Sequence, residues 1–336
     1  MTSWNLGPGG FRFLLAYMVV IEHVSRFEIG KVAVMVFFIL SGFWVTRVFK
    51  ERYSKTSQAI PVFYLSRFLR IWPLYITVFL ITALLAALFS FPTQPNTWIA
   101  IPILGVGTHH IDIIGVTWSL DIEIQFYILL PLIVFFLSKL HNAGAWVLFY
   151  GVVLLLWGVG LYLGGRFSVE TVLLYLPIFL TGMTIYLFNL RSAKTSAQIS
   201  VTAFCLVGVC AVFIPALKPY VIYGSGSDFD DKIFALFWSV SLLPFVAFNV
   251  RQKSSLIDRH LGNLSYTIYL VHFPMTNMSK MISDRDMTDI EKLYYLVLVL
   301  LVSLALYFLL EVQFERWRRR IVSYVQSNLC FYRAKR

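Results

Sequence analysis

Apolar runs close to 20 residues long recur from one end of the chain to the other. About 20 helical residues cross the hydrocarbon core of a bilayer, and a helix satisfies its own backbone hydrogen bonds there. We predict spans at about 9–26, 32–49, 71–91, 116–137, 145–164, 171–190, 197–217, 233–250, 261–282 and 293–312. The sequence therefore predicts an all-α, polytopic integral membrane protein with about ten transmembrane helices.

The composition agrees with a membrane location. Of the 336 residues, 59% are hydrophobic and 13% are charged, whereas soluble domains carry roughly 25% charged residues. The net charge of +11 does not require nucleic acid, because basic residues in cytoplasmic loops account for it. The three cysteines show no metal-ligand spacing. We expect no metal cofactor and no nucleic-acid partner.

The distribution of Lys and Arg predicts the orientation. With the N-terminus inside, nineteen of the 28 basic residues fall on the inner side, eight on the outer side, and Arg12 within the first span. The predicted outer loop 92–115 contains none. Because cytoplasmic loops carry the excess of basic residues, we predict cytoplasmic termini in a plasma (inner) membrane. We divide the chain into a membrane domain, 1–313, and a basic amphipathic tail, 314–336, that contacts membrane lipids.

Two ionisable side chains interrupt the first span. Arg12 precedes His23 by eleven residues, roughly 16 Å along a helix axis. Ionisable residues at this depth are rare and usually functional, so both are candidates. The alternative is that Arg12 reaches the lipid headgroups and that His23 is a hydrogen-bonded packing residue.

A second candidate site lies at the inner end of the third span. Arg67 and Arg70 are three residues apart and share a helix face, and two adjacent guanidinium groups suit a phosphate. Simple anchoring by basic residues is the alternative. The fourth span contributes Asp121 near its start, where the helix dipole favours a carboxylate, and the deeper Glu123.

We expect Glu123 to pair with His23, because both fall in the outer half of the bilayer, and a carboxylate that orients an imidazole supports a general base. Glu22 lies on a different face from His23 and is the weaker partner. His272, before Pro274 in the ninth span, is either a further polar contact in this cavity or a structural residue. Phosphate binding inside and acid–base chemistry farther out suit acyl-coenzyme A as the donor.

These residues together resemble the membrane acyltransferase 3 family, which O-acylates cell-envelope and secreted glycans. The resemblance rests on Arg12 with His23, on Val32 to Phe43, on Arg67-x-x-Arg70 before Ile-Trp-Pro-Leu-Tyr75, on Trp118-Ser-Leu with Glu123 and Phe126-Tyr127, and on Leu264 to His272. It covers essentially the whole chain, with the five motifs in order.

The resemblance implies a ten-helix O-acyltransferase that uses acetyl-coenzyme A or another acyl-coenzyme A. It implies that His23 is the essential base, that Arg67 and Arg70 contact the coenzyme A, and that Arg12 and Glu123 support the site. We also count Arg12 with the donor-binding candidates. Possible support for the site comes from Trp118, Tyr266 and His272. The implied acceptor is a glycan or a lipid-linked saccharide.

In some relatives an esterase-like domain follows the membrane part. Here only the basic tail follows, so we expect direct transfer without a relay on the same chain. Ser41 and Ser265 match family positions but lie in no nucleophile elbow. The rival functions are a lipid-linked oligosaccharide flippase or a secondary transporter, for which we find no paired repeats. A glycan polymerase is a third possibility, but the longest outer loop, 92–115, is short for one.

Overall fold

The computed structural model describes residues 6–56, 58–90, 97–106, 113–283 and 287–334. Within these ranges the regular structure is helical, apart from one antiparallel bridge between Phe27 and Ile222. The α-helices are α1 (Pro8–Val24), α2 (Gly30–Val48), α3 (Ala59–Leu88), α4 (Thr117–Leu137), α5 (Ala143–Phe167), α6 (Val172–Leu187), α7 (Lys194–Phe213), α8 (Asp228–Val240), α9 (Leu243–Asn249), α10 (Leu256–Ser283), α11 (Asp289–Leu306) and α12 (Val312–Ala334). The predicted all-α class is confirmed.

Within the described residues, six helices, or seven if a bent pair counts as one span, are long and apolar enough to cross a membrane, whereas the sequence predicts ten spans. In the described ranges, six helical stretches have the required length and hydropathy: Gly30–Tyr53, Ala59–Leu88, Thr117–Leu137, Ala143–Phe167, Lys194–Phe213 and Asp289–Ser327. Helices α8 and α9 make a seventh if they count as one span, bent by 60°. The other predicted spans coincide with α1 and α6, which have 17 and 16 residues, and with α10, whose first turn is charged.

Helix bounds differ from the predicted spans at α3 and after α11. Helix α3 begins at Ala59 rather than near residue 71, because a hydropathy window excludes the turns that carry Arg67 and Arg70. Two π-helical turns also extend helices: π turn 1 (Phe49–Tyr53) follows α2, and π turn 2 (Tyr307–Glu311) joins α11 to α12. The predicted outer loop 92–115 falls partly outside the described residues, at 92–96 and 107–112.

The chain forms two compact units. The first comprises residues 1–40 and 180–304, and the second comprises residues 41–179 and 305–336. In the first unit α1 packs along α10. A Cβ atom at Gly9 would lie 1.7 Å from the carbonyl oxygen of Asp258, and one at Gly262 would lie 2.9 Å from the Cα of Gly9. Glycine at both positions therefore permits this close packing.

In the second unit α3 packs against α12. A 3₁₀ turn (Thr97–Ala100) follows α3 in the chain. It is held on α3 by hydrogen bonds from Trp72 to the carbonyl of Ile101 at 3.1 Å and from Tyr75 to that of Ala100 at 2.7 Å. These two bonds hold α3 just after the turn that carries Arg67 and Arg70.

Candidate active site

The N-terminus of α1 is capped by a carboxylate from α10. Asp258 accepts hydrogen bonds from the backbone amides of Gly9 at 3.1 Å and Gly10 at 2.8 Å, and from the hydroxyl of Ser254 at 2.5 Å. The N-cap residue itself, Gly7, has no side chain that could cap the helix. A carboxylate at this position satisfies free amides and suits the helix dipole. Asp258 therefore fixes α1 and α10 to each other at the end opposite His23.

At the other end of the same helix pair, the structure brings two predicted residues together. The rings of His23 and His272 stack with centroids 5.1 Å apart and an interplanar angle of 25°. Phe273 packs its edge against His23 at 4.9 Å. The two imidazoles therefore lie face to face, without a hydrogen bond between them.

His272 is fully buried and held in one tautomer. Its Nδ1 lies 3.1 Å from the carbonyl oxygen of Ile268, so Nδ1 carries the proton. The Nε2 atom is a buried acceptor with no hydrogen-bond partner within the described residues. The carbonyl of His272 accepts from Thr276 at 3.0 Å and from Tyr295 at 2.6 Å, which fixes the backbone before Pro274.

His23 is half-buried, and in the part of the chain that the structure describes its ring makes only aromatic contacts. Glu22 does not orient it. The Glu22 carboxylate accepts from the amides of Gly30 at 2.5 Å and Lys31 at 3.2 Å, and so caps α2. An imidazole without a hydrogen-bonded partner can approach a substrate hydroxyl.

An ion-pair cluster lies beyond His23, where α1 turns into α2. Lys31 pairs with Glu28 at 3.1 Å and with Asp231 at 3.2 Å. The same connection forms the Phe27–Ile222 bridge. Both loops of this cluster belong to the predicted outer face, so their contact agrees with placing them on one side of the membrane.

In the second unit, Glu123 has two hydroxyl partners that the sequence did not predict. Its Oε1 accepts from Ser41 at 2.6 Å and from Tyr127 at 2.5 Å. Ser41 reaches α4 from α2, where a Cβ at Gly42 would lie 2.1 Å from the carbonyl oxygen of Phe179. His23 and Glu123 belong to different units, and their pairing stays a prediction.

Arg67 lies beside this cluster. Its guanidinium carbon is 6.0 Å from the ring centroids of both Phe63 and Tyr127, within reach of a cation–π interaction. Its Nε atom is buried without a hydrogen-bond partner within the described residues. The group is therefore oriented by aromatic faces while a donor N–H remains available.

Arg70 is engaged differently from Arg67. Its Nη1 donates to Glu311 at 2.7 Å. The binding of a phosphate by both arginines stays a prediction. On the same face, the buried hydroxyl of Ser66 accepts from Tyr53 at 2.6 Å and from Arg318 at 2.7 Å.

The remaining candidates stay predictions. Arg12 is half-buried on α1, and Tyr266 is half-buried on α10. The Trp118 ring lies 6.1 Å from that of Tyr175. The sequence analysis missed Glu311, although an isolated carboxylate between Leu310 and Val312 carries the same signal that identified Glu123.

Comparison with known proteins identifies the family of the chain. A family model described as an acyltransferase domain matches residues 5–312. An acyltransferase named MdmB, from Streptomyces mycarofaciens, is 29% identical over 119 residues, which cover 31% of this chain and 28% of the relative. The match thus spans less than a third of that relative's length. No solved structure matches the chain.

Proposed function

Since the chain belongs to the acyltransferase 3 family of membrane proteins, we propose that it transfers an acyl group from cytoplasmic acyl-coenzyme A to a hydroxyl of a cell-envelope or secreted glycan. Acetyl-coenzyme A is the simplest donor of this class. The proposal keeps the predicted orientation, with ten spans, cytoplasmic termini and a plasma-membrane location.

The observation that carries the proposal is the stacking of His23 on His272, with the His23 nitrogens unengaged within the described residues. A neutral imidazole accepts a proton near neutral pH. In the proposed step, a nitrogen of His23 removes the proton of the acceptor hydroxyl, the hydroxyl oxygen bonds to the thioester carbonyl carbon, and the carbon–sulfur bond breaks. The thiolate of coenzyme A leaves and takes up the proton that His23 removed, which returns the imidazole to its neutral form. A base of this kind contributes about 10² to 10⁴ in rate.

Arg67 is the donor-binding residue that the geometry supports best. Its buried, unengaged Nε–H offers a charge-assisted hydrogen bond to a phosphate oxygen. Arg12 remains a further candidate, and Glu123 remains a candidate support of the base. The resemblance also assigns Arg70 to coenzyme A, but Glu311 already binds it.

Mass spectrometry of envelope glycans tests this function. We expect an acyl modification in cells that carry the gene, its loss on deletion, and its return with the wild-type gene but not with His23→Ala. Identical glycans in all four strains would exclude an envelope glycan as the acceptor.

A further inference from the structure

We infer that Arg70 and Glu311 form a positioning pair that fastens π turn 2, which leads into α12, to α3, and that Arg67, rather than Arg70, contacts the phosphates of the donor. This inference rests on the proposed function for the identity of the donor. It assigns a role to Glu311, and it separates two arginines that the sequence treats as equivalent.

The first argument is the ion pair itself. Arg70 and Glu311 are joined at 2.7 Å, with 21% and 4% of their side chains exposed. A carboxylate buried to this extent needs a charged partner, because an unpaired buried charge is strongly destabilising. If Arg70 turned to a phosphate, Glu311 would be left without this partner. The positive charge of Arg70 therefore compensates the buried carboxylate of Glu311.

The second argument is the convergence of both π turns on one face of α3. Tyr53 is the last residue of π turn 1 and donates to Ser66, and Glu311 is the last residue of π turn 2 and binds Arg70. Ser66 and Arg70 are four residues apart and share a helix face. Arg318 adds a second hydrogen bond to Ser66 at 2.7 Å. Such π turns are rare and often accompany functional sites.

The third argument is the contrast with Arg67. It lies one residue after Ser66 and three before Arg70, on the flank of the same helix face. Its guanidinium group lies near the rings of Phe63 and Tyr127 and makes no ion pair like that of Arg70 with Glu311 among the described residues. Its buried Nε has no partner within the described ranges. Because the pair holds this part of α3 in place, it also sets the position from which the Arg67 side chain extends. Loss of the pair therefore weakens donor binding through Arg67.

A charge swap tests the inference in the purified full-length protein, with acetyl-coenzyme A as the probe. We expect Arg70→Glu and Glu311→Arg each to weaken acetyl-coenzyme A binding by at least about tenfold, or 1.4 kcal/mol, and to lower the melting temperature. The double variant should restore the melting temperature and bring the affinity to within about threefold of wild type, or 0.7 kcal/mol. Restored melting with affinity still lost would overturn the inference, because it would mean that Arg70 itself contacts the donor.

A second double variant, Arg70→Met with Glu311→Leu, covers the case in which reversed charges do not fold. Replacing a buried ion pair by apolar residues is often tolerated, so we expect it to melt near wild type and to bind acetyl-coenzyme A within about threefold, or 0.7 kcal/mol. A well-folded apolar variant that does not bind would overturn the inference.

The matched control is the swap Arg47→Glu with Glu51→Arg. That pair is exposed, at 41% and 50%, and exposed pairs contribute little, so neither measurement should change. A wild-type protein that does not bind acetyl-coenzyme A would refute the proposed function. The melting temperatures would then still decide the pairing, since it is overturned if neither double variant recovers the stability lost in the single variants.

Discussion

The α1–α10 and α3–α12 helix pairs differ in how their polar side chains are bonded. Between α1 and α10, a glycine contact and a capping carboxylate hold one end, and two imidazoles meet by their ring faces at the other. Between α3 and α12, a guanidinium, a carboxylate and hydroxyl groups bind one another. Within the described residues, the first pair leaves the His23 ring nitrogens and the His272 Nε2 atom without hydrogen bonds, whereas the second pairs Arg70 and Arg318 with groups of the protein.

The difference follows from the chemistry of the side chains. An imidazole is neutral near pH 7 and can lie in apolar surroundings, whereas a guanidinium keeps its charge and requires compensation when buried. A buried histidine therefore needs no polar partner in the protein before a substrate binds. Arg67 combines both situations, because aromatic rings hold its charge while one N–H remains available.

The largest expected effect concerns the glycine contact. Gly9→Leu places a side chain where a Cβ already meets the carbonyl of Asp258, so we expect a loss of about 3 kcal/mol or more. Accumulation in the membrane and the melting temperature in detergent measure it. Gly151→Leu is the matched control, since a Cβ there has nothing within 4 Å. Equal behaviour of the two variants would show that α1 and α10 do not pack as described.

The next effect concerns Arg67. Arg67→Lys keeps the charge but removes the planar group that lies on Phe63 and Tyr127, and lysine does not replace a stacked guanidinium. We expect acetyl-coenzyme A binding to weaken about tenfold or more, at least 1.4 kcal/mol, while Arg47→Lys on an exposed surface leaves it unchanged. An affinity within about twofold of wild type, roughly 0.4 kcal/mol, would remove Arg67 from the donor site.

A smaller effect is expected at His272. His272→Phe keeps a ring against His23 but removes the buried Nε2 acceptor. If Nε2 accepts a hydrogen bond from the acceptor substrate, its loss costs about 1 kcal/mol, so we expect normal accumulation and a transfer rate lowered about three- to tenfold. The exposed His260 on the same helix provides the control, as His260→Phe. A full rate with His272→Phe would leave the ring with a packing role alone.

The smallest expected effect on stability comes from cysteine substitutions that test the orientation of the chain in the membrane. Single cysteines at the exposed positions Asp230 and Arg259, in a variant without Cys205, Cys210 and Cys330, should leave stability within about 0.5 kcal/mol. A membrane-impermeant thiol reagent should label residue 230 in intact cells and leave residue 259 unlabelled. The reverse pattern would invert the topology and place the donor on the wrong side of the membrane.

The residues show why the sequence predicted the positions of helices better than the partners of side chains. Apolar length and charge located the helices, but the window that found α3 omitted its first turns, because Arg67 and Arg70 lower the hydropathy there. The sequence analysis expects Glu123 to pair with His23, and that pairing stays a prediction. The hydrogen bond from Ser41 to Glu123 joins residues 82 positions apart in the chain. It depends on how two helices pack, and the periodicity of a sequence does not show this.

The same limit applies to Arg70. Helix spacing correctly places it near Arg67, yet its role depends on Glu311, which is 241 residues away. The π turns that carry Tyr53 and Glu311 have no signature in composition, since the same residues suit an ordinary helix. Close helix contacts at Gly9 and Gly262 likewise become visible only when both backbones are in place.

The central claim is that this membrane acyltransferase uses His23 as its general base. The most direct measurement compares wild type and His23→Ala in membrane vesicles, by incorporation of radiolabelled acetyl groups from acetyl-coenzyme A into the glycan fraction, alongside acetyl-coenzyme A binding by the purified proteins. We predict transfer lowered by at least about 10²-fold, with binding within about twofold, or 0.4 kcal/mol, of wild type. Transfer by His23→Ala at close to the wild-type rate would contradict the claim.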